Sequence, residues 1–139
     1  METLSPALSE ATIFKRARFV DVGGIRTRYY ELGTGEPMLL CHGGQWPSSD
    51  CANTWSRNLG GLAQTFHVYA ADKLGAGMTD NPRSDDEYTI EAMVEHMCGF
   101  IQTMGLEQFH MVGEARRIPG DPAHATASGD GKDPGDRRQ

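Results

Sequence analysis

Long apolar runs are what this 139-residue sequence most lacks. No stretch approaches the ~18 consecutive apolar residues of a membrane-spanning helix. The first residues also lack the continuous apolar segment of a secretory signal, so no membrane address is expected. Cysteine is scarce. Cys41, Cys51 and Cys98 cannot pair completely, and their spacing fits neither a disulfide framework nor a zinc site. A reducing cytoplasm is the expected setting. Positive charge is scarce too: 13 Lys and Arg against 19 Asp and Glu leave a net charge of −6. The densest basic group, Lys15, Arg16 and Arg18, reads as a solvated strand end rather than a phosphate-binding face, which argues against nucleic acid as a partner. Hydrophobic residues make up 38%, and the shortfall is local. From Gly113 to Gln139 the only large aliphatic or aromatic residue is Ile118. Ordering such a segment costs about 1–2 kcal/mol per residue in backbone entropy with almost no apolar burial to offset it. Residues 114–139 are therefore expected to form a disordered tail, residues 1–15 a flexible lead-in, and residues 16–113 the folded domain.

Within 16–113 the apolar pattern changes period in an orderly way. Arg18 to Val22 and Ile25 to Leu32 roughly alternate apolar and polar residues around Gly23-Gly24, which predicts a β-hairpin. Met38-Leu39-Leu40-Cys41 is a continuous apolar run, as in a strand buried on both faces. Trp55, Leu59, Leu62 and Ala63 recur at helical spacing, although Gly60 and Gly61 each weaken that helix by about 1 kcal/mol relative to alanine. His67 to Ala71 predicts the next strand. In the following helix, Thr89 is the expected N-cap, Gly105 the stop, and Ile90, Met93, Val94, Met97, Ile101 and Met104 a single apolar stripe. Gln108 to Val112 predicts a fifth strand. A hairpin followed by strand-helix-strand-helix-strand is the pattern of an α/β fold whose mixed sheet becomes parallel.

Two turns carry the specific signals. His42-Gly43-Gly44 directly follows a buried strand, where glycine permits close backbone approach to a ligand; taken alone it also fits an ordinary strand-ending turn with a hydrogen-bonded histidine. Asp72-Lys73-Leu74-Gly75-Ala76-Gly77-Met78-Thr79-Asp80-Asn81-Pro82 follows the next strand, where ligands of open α/β sheets bind. Asp72, Gly75 and Gly77 are therefore the expected pocket-rim residues. Gly75-x-Gly77 lacks the third glycine of a dinucleotide fingerprint. His67 and His96 have no partner spacing that suggests a metal. His110 reads as a strand residue and His124 as a tail residue. A third signal is negative: Gly113-Glu114-Ala115-Arg116-Arg117 stands where a G-x-S-x-G nucleophile turn would come after the fifth strand, with alanine in the serine slot.

On these motifs, residues 18–113 resemble the N-terminal part of the α/β-hydrolase family, in wording such as "DVGGIRTRYYELGTGEPMLLCHGG", "DKLGAGMTDNP" and "YTIEAMVEHMCGFIQTMGLEQFHMVG". The branch they are similar to includes the meta-cleavage-product hydrolases, which cleave carbon-carbon bonds, with ester hydrolases as close relatives. The resemblance implies a partial α/β-hydrolase fold, a small carbonyl or ester substrate in intact relatives, and no metal or organic cofactor. It matches Gly44, with Gly43 as a close alternative, to an oxyanion-hole donor beside His42. It places Ala115 on the nucleophile, and the family's acid and histidine fall beyond the end of this sequence. The expected product is a truncated, catalytically silent hydrolase. The alternatives are a pseudoenzyme or binding module that keeps the pocket floor, and half of a split hydrolase completed by another chain. The resemblance also implies an exposed fifth-strand edge through which the chain could self-associate. Codons permitted for Arg116 to Asp121, read one base later, encode RGGYLVT, which resembles the segment just after the nucleophile in the family. A frameshift near codon 115 is the expected origin of the tail.

Overall fold

The computed structural model describes residues 14–44 and 50–114. The expectations for residues 1–13 and 115–139, among them Ala115 and His124, lie outside the described residues. Phe14–Arg16 form a short 3-10 turn, which takes in the last residues of the expected lead-in. β1 (Arg18–Val22) and β2 (Ile25–Leu32) form the hairpin, with Arg18 opposite Tyr29 and Val22 opposite Ile25. Gly23 and Gly24 supply its two-residue turn at φ 57° and 90°, and Asp21 Oδ1 accepts the Gly24 N–H at 2.6 Å. Positive φ at both central residues is the turn whose twist matches that of the flanking strands.

β3 (Glu36–Cys41), β4 (Phe66–Ala71) and β5 (His110–Gly113) complete a five-stranded sheet in the order β1-β2-β4-β3-β5. β2 is antiparallel to β4, while β3 runs parallel to both β4 and β5. The predicted mixed sheet that turns parallel is the observed one. α1 (Ser56–Leu62) joins β3 to β4 after a 3-10 turn over Ala52–Trp55, and α2 (Ile90–Thr103) joins β4 to β5. Alternate strand residues point to opposite faces, and the two helices take one face each. Leu59 of α1 packs with Tyr30, Leu40 and Val68, whereas Phe100 of α2 packs with Val22, Tyr29 and Leu39. The Phe100 ring meets that of Tyr29 edge-on at 5.5 Å.

Thr89 caps α2 as expected, accepting the Ala92 N–H at 3.1 Å, and Gly105 follows the helix at φ 71°. The predicted apolar stripe needs correction. Ile90 and Val94 are 65% and 54% exposed, while His96 and Phe100 are buried. At about 100° per residue, Ile90 and Val94 lie roughly 80° and 120° around the helix from Phe100. The helix rolls toward Phe100 because Val22 and Tyr29 offer that side chain a pocket, and Ile90 and Val94 are carried off the sheet. β5 is shifted two residues at its start from the predicted span and lies at the sheet edge, with all four residues exposed.

Candidate functional site

The site grows from the carboxyl ends of the parallel strands, which finish level. Cys41 is in register with both Ala71 and Gly113, and the Glu114 N–H donates to Cys41 O at 3.0 Å. Three segments therefore leave the sheet together: His42-Gly43-Gly44 after β3, the Asp72 loop after β4, and Glu114 after β5.

The Asp72 side chain turns inward instead of lining a rim, which corrects the expectation for it. It is fully buried, and its carboxylate accepts from Arg28 Nε at 2.7 Å, Arg28 Nη2 at 3.0 Å, Ala52 N at 2.7 Å and Met78 N at 2.9 Å. Arg28 reaches it because strand alternation places it on the same inward face as Tyr30 and Leu32. Its guanidinium carbon sits 5.2 Å from the centre of the Tyr30 ring. Burial works to lower the Arg28 pKa, but the hydrogen bonds and negative charge of Asp72 outweigh it, and the guanidinium is held above its ordinary value. Burial pushes the Tyr30 hydroxyl up to about 12. It remains a donor, to Asn53 Oδ1 at 2.5 Å.

The rest of the loop is stitched to β2. Thr79 Oγ1 donates to Asp72 O and accepts the Arg28 N–H, both at 3.0 Å. Arg26 N–H donates to Asp80 Oδ2 and Asp80 N–H to Arg26 O, both at 2.9 Å. Gly75 N–H donates to Asp80 O at 2.9 Å, closing the turn. Gly77 backs directly onto the Asp72 carboxylate, so a Cβ there would overlap it. Glycine is required at that contact.

His42 is buried, and its partners fix its tautomer. The Lys73 N–H donates to Nε2 at 3.0 Å, so the ring proton is on Nδ1, which donates to Gly43 O at 2.9 Å. Burial holds its pKa below the ordinary value. With both nitrogens engaged, His42 ties the β3 turn to the β4 loop. Gly44 has φ 97°, which a side chain would strain, so the glycine lets the backbone turn sharply there.

His42, Gly43, Gly44, Asp72, Gly75 and Gly77 are thus brought to one edge of the sheet, while Ala115 lies outside the described residues. The histidines without a site reading are placed elsewhere. His67 Nε2 lies 2.6 Å from Glu31 Oε2, and His110, in β5, lies 2.8 Å from Glu36 Oε2. Sequence reasoning passed over Arg28, Thr79 and Asn53. For Arg28 the signal was present: the period of two that buries Tyr30 and Leu32 buries Arg28 too, and a buried guanidinium needs a carboxylate.

The family described as alpha/beta hydrolase fold matches residues 36–114. The 2-hydroxy-6-oxo-6-(2'-aminophenyl)hexa-2,4-dienoic acid hydrolase of Metapseudomonas resinovorans is 39% identical over 90 residues, 65% of this chain and 30% of that protein. Bifunctional epoxide hydrolase 2 of Rattus norvegicus is 35% identical over 91 residues, 65% of this chain and 16% of that protein. The crystal structure of an epoxide hydrolase from Vigna radiata matches with a TM-score of 0.63 at 28% identity, covering 71% of this chain and 31% of that one. The matched part of the chain spans about a third or less of each of these relatives. By the family match and by the sheet, crossovers and turns that carry it, this chain belongs to the α/β hydrolase fold family.

Proposed function

We propose that this chain carries the oxyanion-hole side of an α/β-hydrolase site for small carbonyl or ester substrates and, with alanine at position 115, does not itself turn them over. The level ending of β3, β4 and β5 carries the reading. Because Cys41 is in register with Gly113, the His42-Gly43-Gly44 turn and Glu114 leave the sheet side by side. In a hydrolase of this architecture the serine comes after β5 at that point, beside backbone donors of the β3 turn. Here the sequence runs Gly113-Glu114-Ala115-Arg116-Arg117. A methyl group cannot attack a carbonyl, and His42, with both ring nitrogens hydrogen-bonded, cannot serve as a general base. The names of the relatives direct the choice of substrate toward dienoates.

The test is an assay of rigorously purified full-length protein with p-nitrophenyl acetate and a 2-hydroxy-6-oxo-dienoate. Removing one member of a catalytic triad lowers turnover by about 10⁴–10⁶, so the expected rate equals that of buffer. Ala115→Ser is expected to restore neither turnover nor labelling by a fluorophosphonate probe, because an unactivated hydroxyl is a poor nucleophile. Turnover by the unaltered chain, or stoichiometric labelling of the serine variant, would sink the reading.

A further inference from the structure

The Glu114 N–H reaches back to Cys41 O at 3.0 Å, and Cys41 is in register with Gly113. Backbone groups alternate sides along a strand, so His110, Val112 and Glu114 direct theirs toward β3, while Met111 and Gly113 direct theirs outward. Among the described residues these outward N–H and C=O groups have no partner. A Cβ built on Gly113 would meet nothing within 4 Å, so the space beside the strand is open. Side chains alternate as well. Met111 is in register with Leu39 and shares the α2 face of the sheet, whereas Val112 is in register with Leu40 and shares the α1 face. Both side chains are exposed.

The other edge of the sheet is guarded and this one is not. β1 exposes Arg18 and Asp21, and charges on an edge strand oppose pairing. β5 has no lysine, arginine or carboxylate between residues 110 and 113, and its imidazole, His110, is held 2.8 Å from Glu36 Oε2. A strand that joins this edge must itself be bare and free of like charge, and a second β5 is such a strand. In an antiparallel pair, residues that face each other both direct their backbone groups at the partner or both direct them away. Met111 and Gly113 therefore face only odd-numbered residues of a second β5, which sets the α2 face of one copy beside the α2 face of the other. We propose that two copies of this chain join β5 to β5 antiparallel, about a two-fold axis normal to the sheet at Val112, into one continuous sheet with five strands from each copy. In that register Met111 of each copy exchanges backbone bonds with Gly113 of the other, which uses every outward group of the strand. Val112 meets its own counterpart at the axis, and His110 stands opposite Glu114 of the second copy. An axis at Met111 would instead draw on Phe109, which precedes the strand, and would set Glu114 opposite Gln108. The contact is isologous, so it closes at two copies. It depends on the sheet edge alone, and it stands or falls apart from the hydrolase reading.

Amide exchange on the unaltered full-length chain, labelled with ¹⁵N, reads the edge directly. Between about 5 and 500 µM chain, exchange at Met111 and Gly113 is expected to slow at least about fivefold, as for a dissociation constant near about 10 µM. Val112 and Glu114, already bonded to β3, are expected to be protected at the lowest concentration. Val112→Cys and Met111→Cys, each in the otherwise unaltered chain, test the register under mild oxidation. Mass spectrometry of the linked peptides separates the new bridge from any made by Cys41, Cys51 or Cys98. Across the axis the two Val112 Cα atoms stand about 4.5 Å apart, within disulfide reach. The two Met111 positions are diagonal neighbours at about 7–8 Å. Val112→Cys is therefore expected to link to its own copy at least about fivefold faster than Met111→Cys, although Met111 is the more exposed of the two. Faster linking at Met111, exchange at Met111 and Gly113 that ignores concentration, or growth past the dimer in sedimentation would each overturn the proposal. The last result would point to head-to-tail pairing of β5 with β1.

Discussion

Four donors meet the Asp72 carboxylate, two from Arg28 and one each from the amides of Ala52 and Met78. Asp72→Asn keeps the size of the side chain but strands a buried guanidinium, which costs about 3–5 kcal/mol when one partner of such a pair is lost. Urea unfolding is expected to show that loss. The double variant Arg28→Met with Asp72→Leu should cost less than the two single changes added together, because it leaves no orphaned charge. Full additivity would mean that the pair does not act as a unit. The histidines give the pH dependence. His42 and His96 are both held below their ordinary pKa by burial. As pH falls below about 6.5 the unfolded chain takes up protons at these rings while the folded chain resists them, so the unfolded state binds more protons and stability falls. Well above pH 6.5, by about pH 8, the two rings add almost no slope. Each contributes at most about 1.4 kcal/mol per pH unit between about pH 6.5 and its folded pKa. His96→Gln should flatten the urea-midpoint profile in that window and leave it unchanged at higher pH.

At the level of elements, α2 separates what periodicity can and cannot reveal. The cap at Thr89, the stop at Gly105 and the existence of the helix were legible, because these signals lie within a few residues of one another. The rotation of the helix was not legible, since it depends on Val22 and Tyr29, which lie far away in the chain and form the surface beneath Phe100. Phe100→Ala is accordingly expected to cost about 3–5 kcal/mol. Val94→Lys, on the exposed flank, should change stability by no more than about 0.5 kcal/mol. Chemical denaturation of both in one background decides between this rotation and the stripe that the sequence alone suggests, which would make Val94→Lys severe. The same division holds for the loops. The glycines of the β3 turn and of the Asp72 loop were legible as turn chemistry at strand ends. The inward turn of Asp72 was not, because the strand period that buries Arg28 does not say which carboxylate it meets until the sheet order places β2 beside β4.

For the molecule as a whole, among the described residues β5 pairs with β3 alone, with Met111 57% and Val112 39% exposed. A strand in this position presents a row of backbone donors and acceptors that another copy can extend. The net charge of −6 opposes association, but at physiological salt repulsion is screened beyond about 8 Å, whereas edge pairing acts at contact. Self-association is therefore expected at micromolar concentration, with two surfaces able to carry it. Exposed Ile90 and Val94 on α2 compete with the β5 edge. Lysine on an edge strand opposes pairing by placing a charge that would be desolvated against a neighbouring strand. Met111→Lys should shift the sedimentation profile toward monomer, while Val94→Lys should leave the oligomer intact, and urea unfolding of the other variants is best measured in the Met111→Lys background. If Val94→Lys dissolves the oligomer and Met111→Lys does not, the chain associates through its helix layer and the β5 edge is not the surface in use.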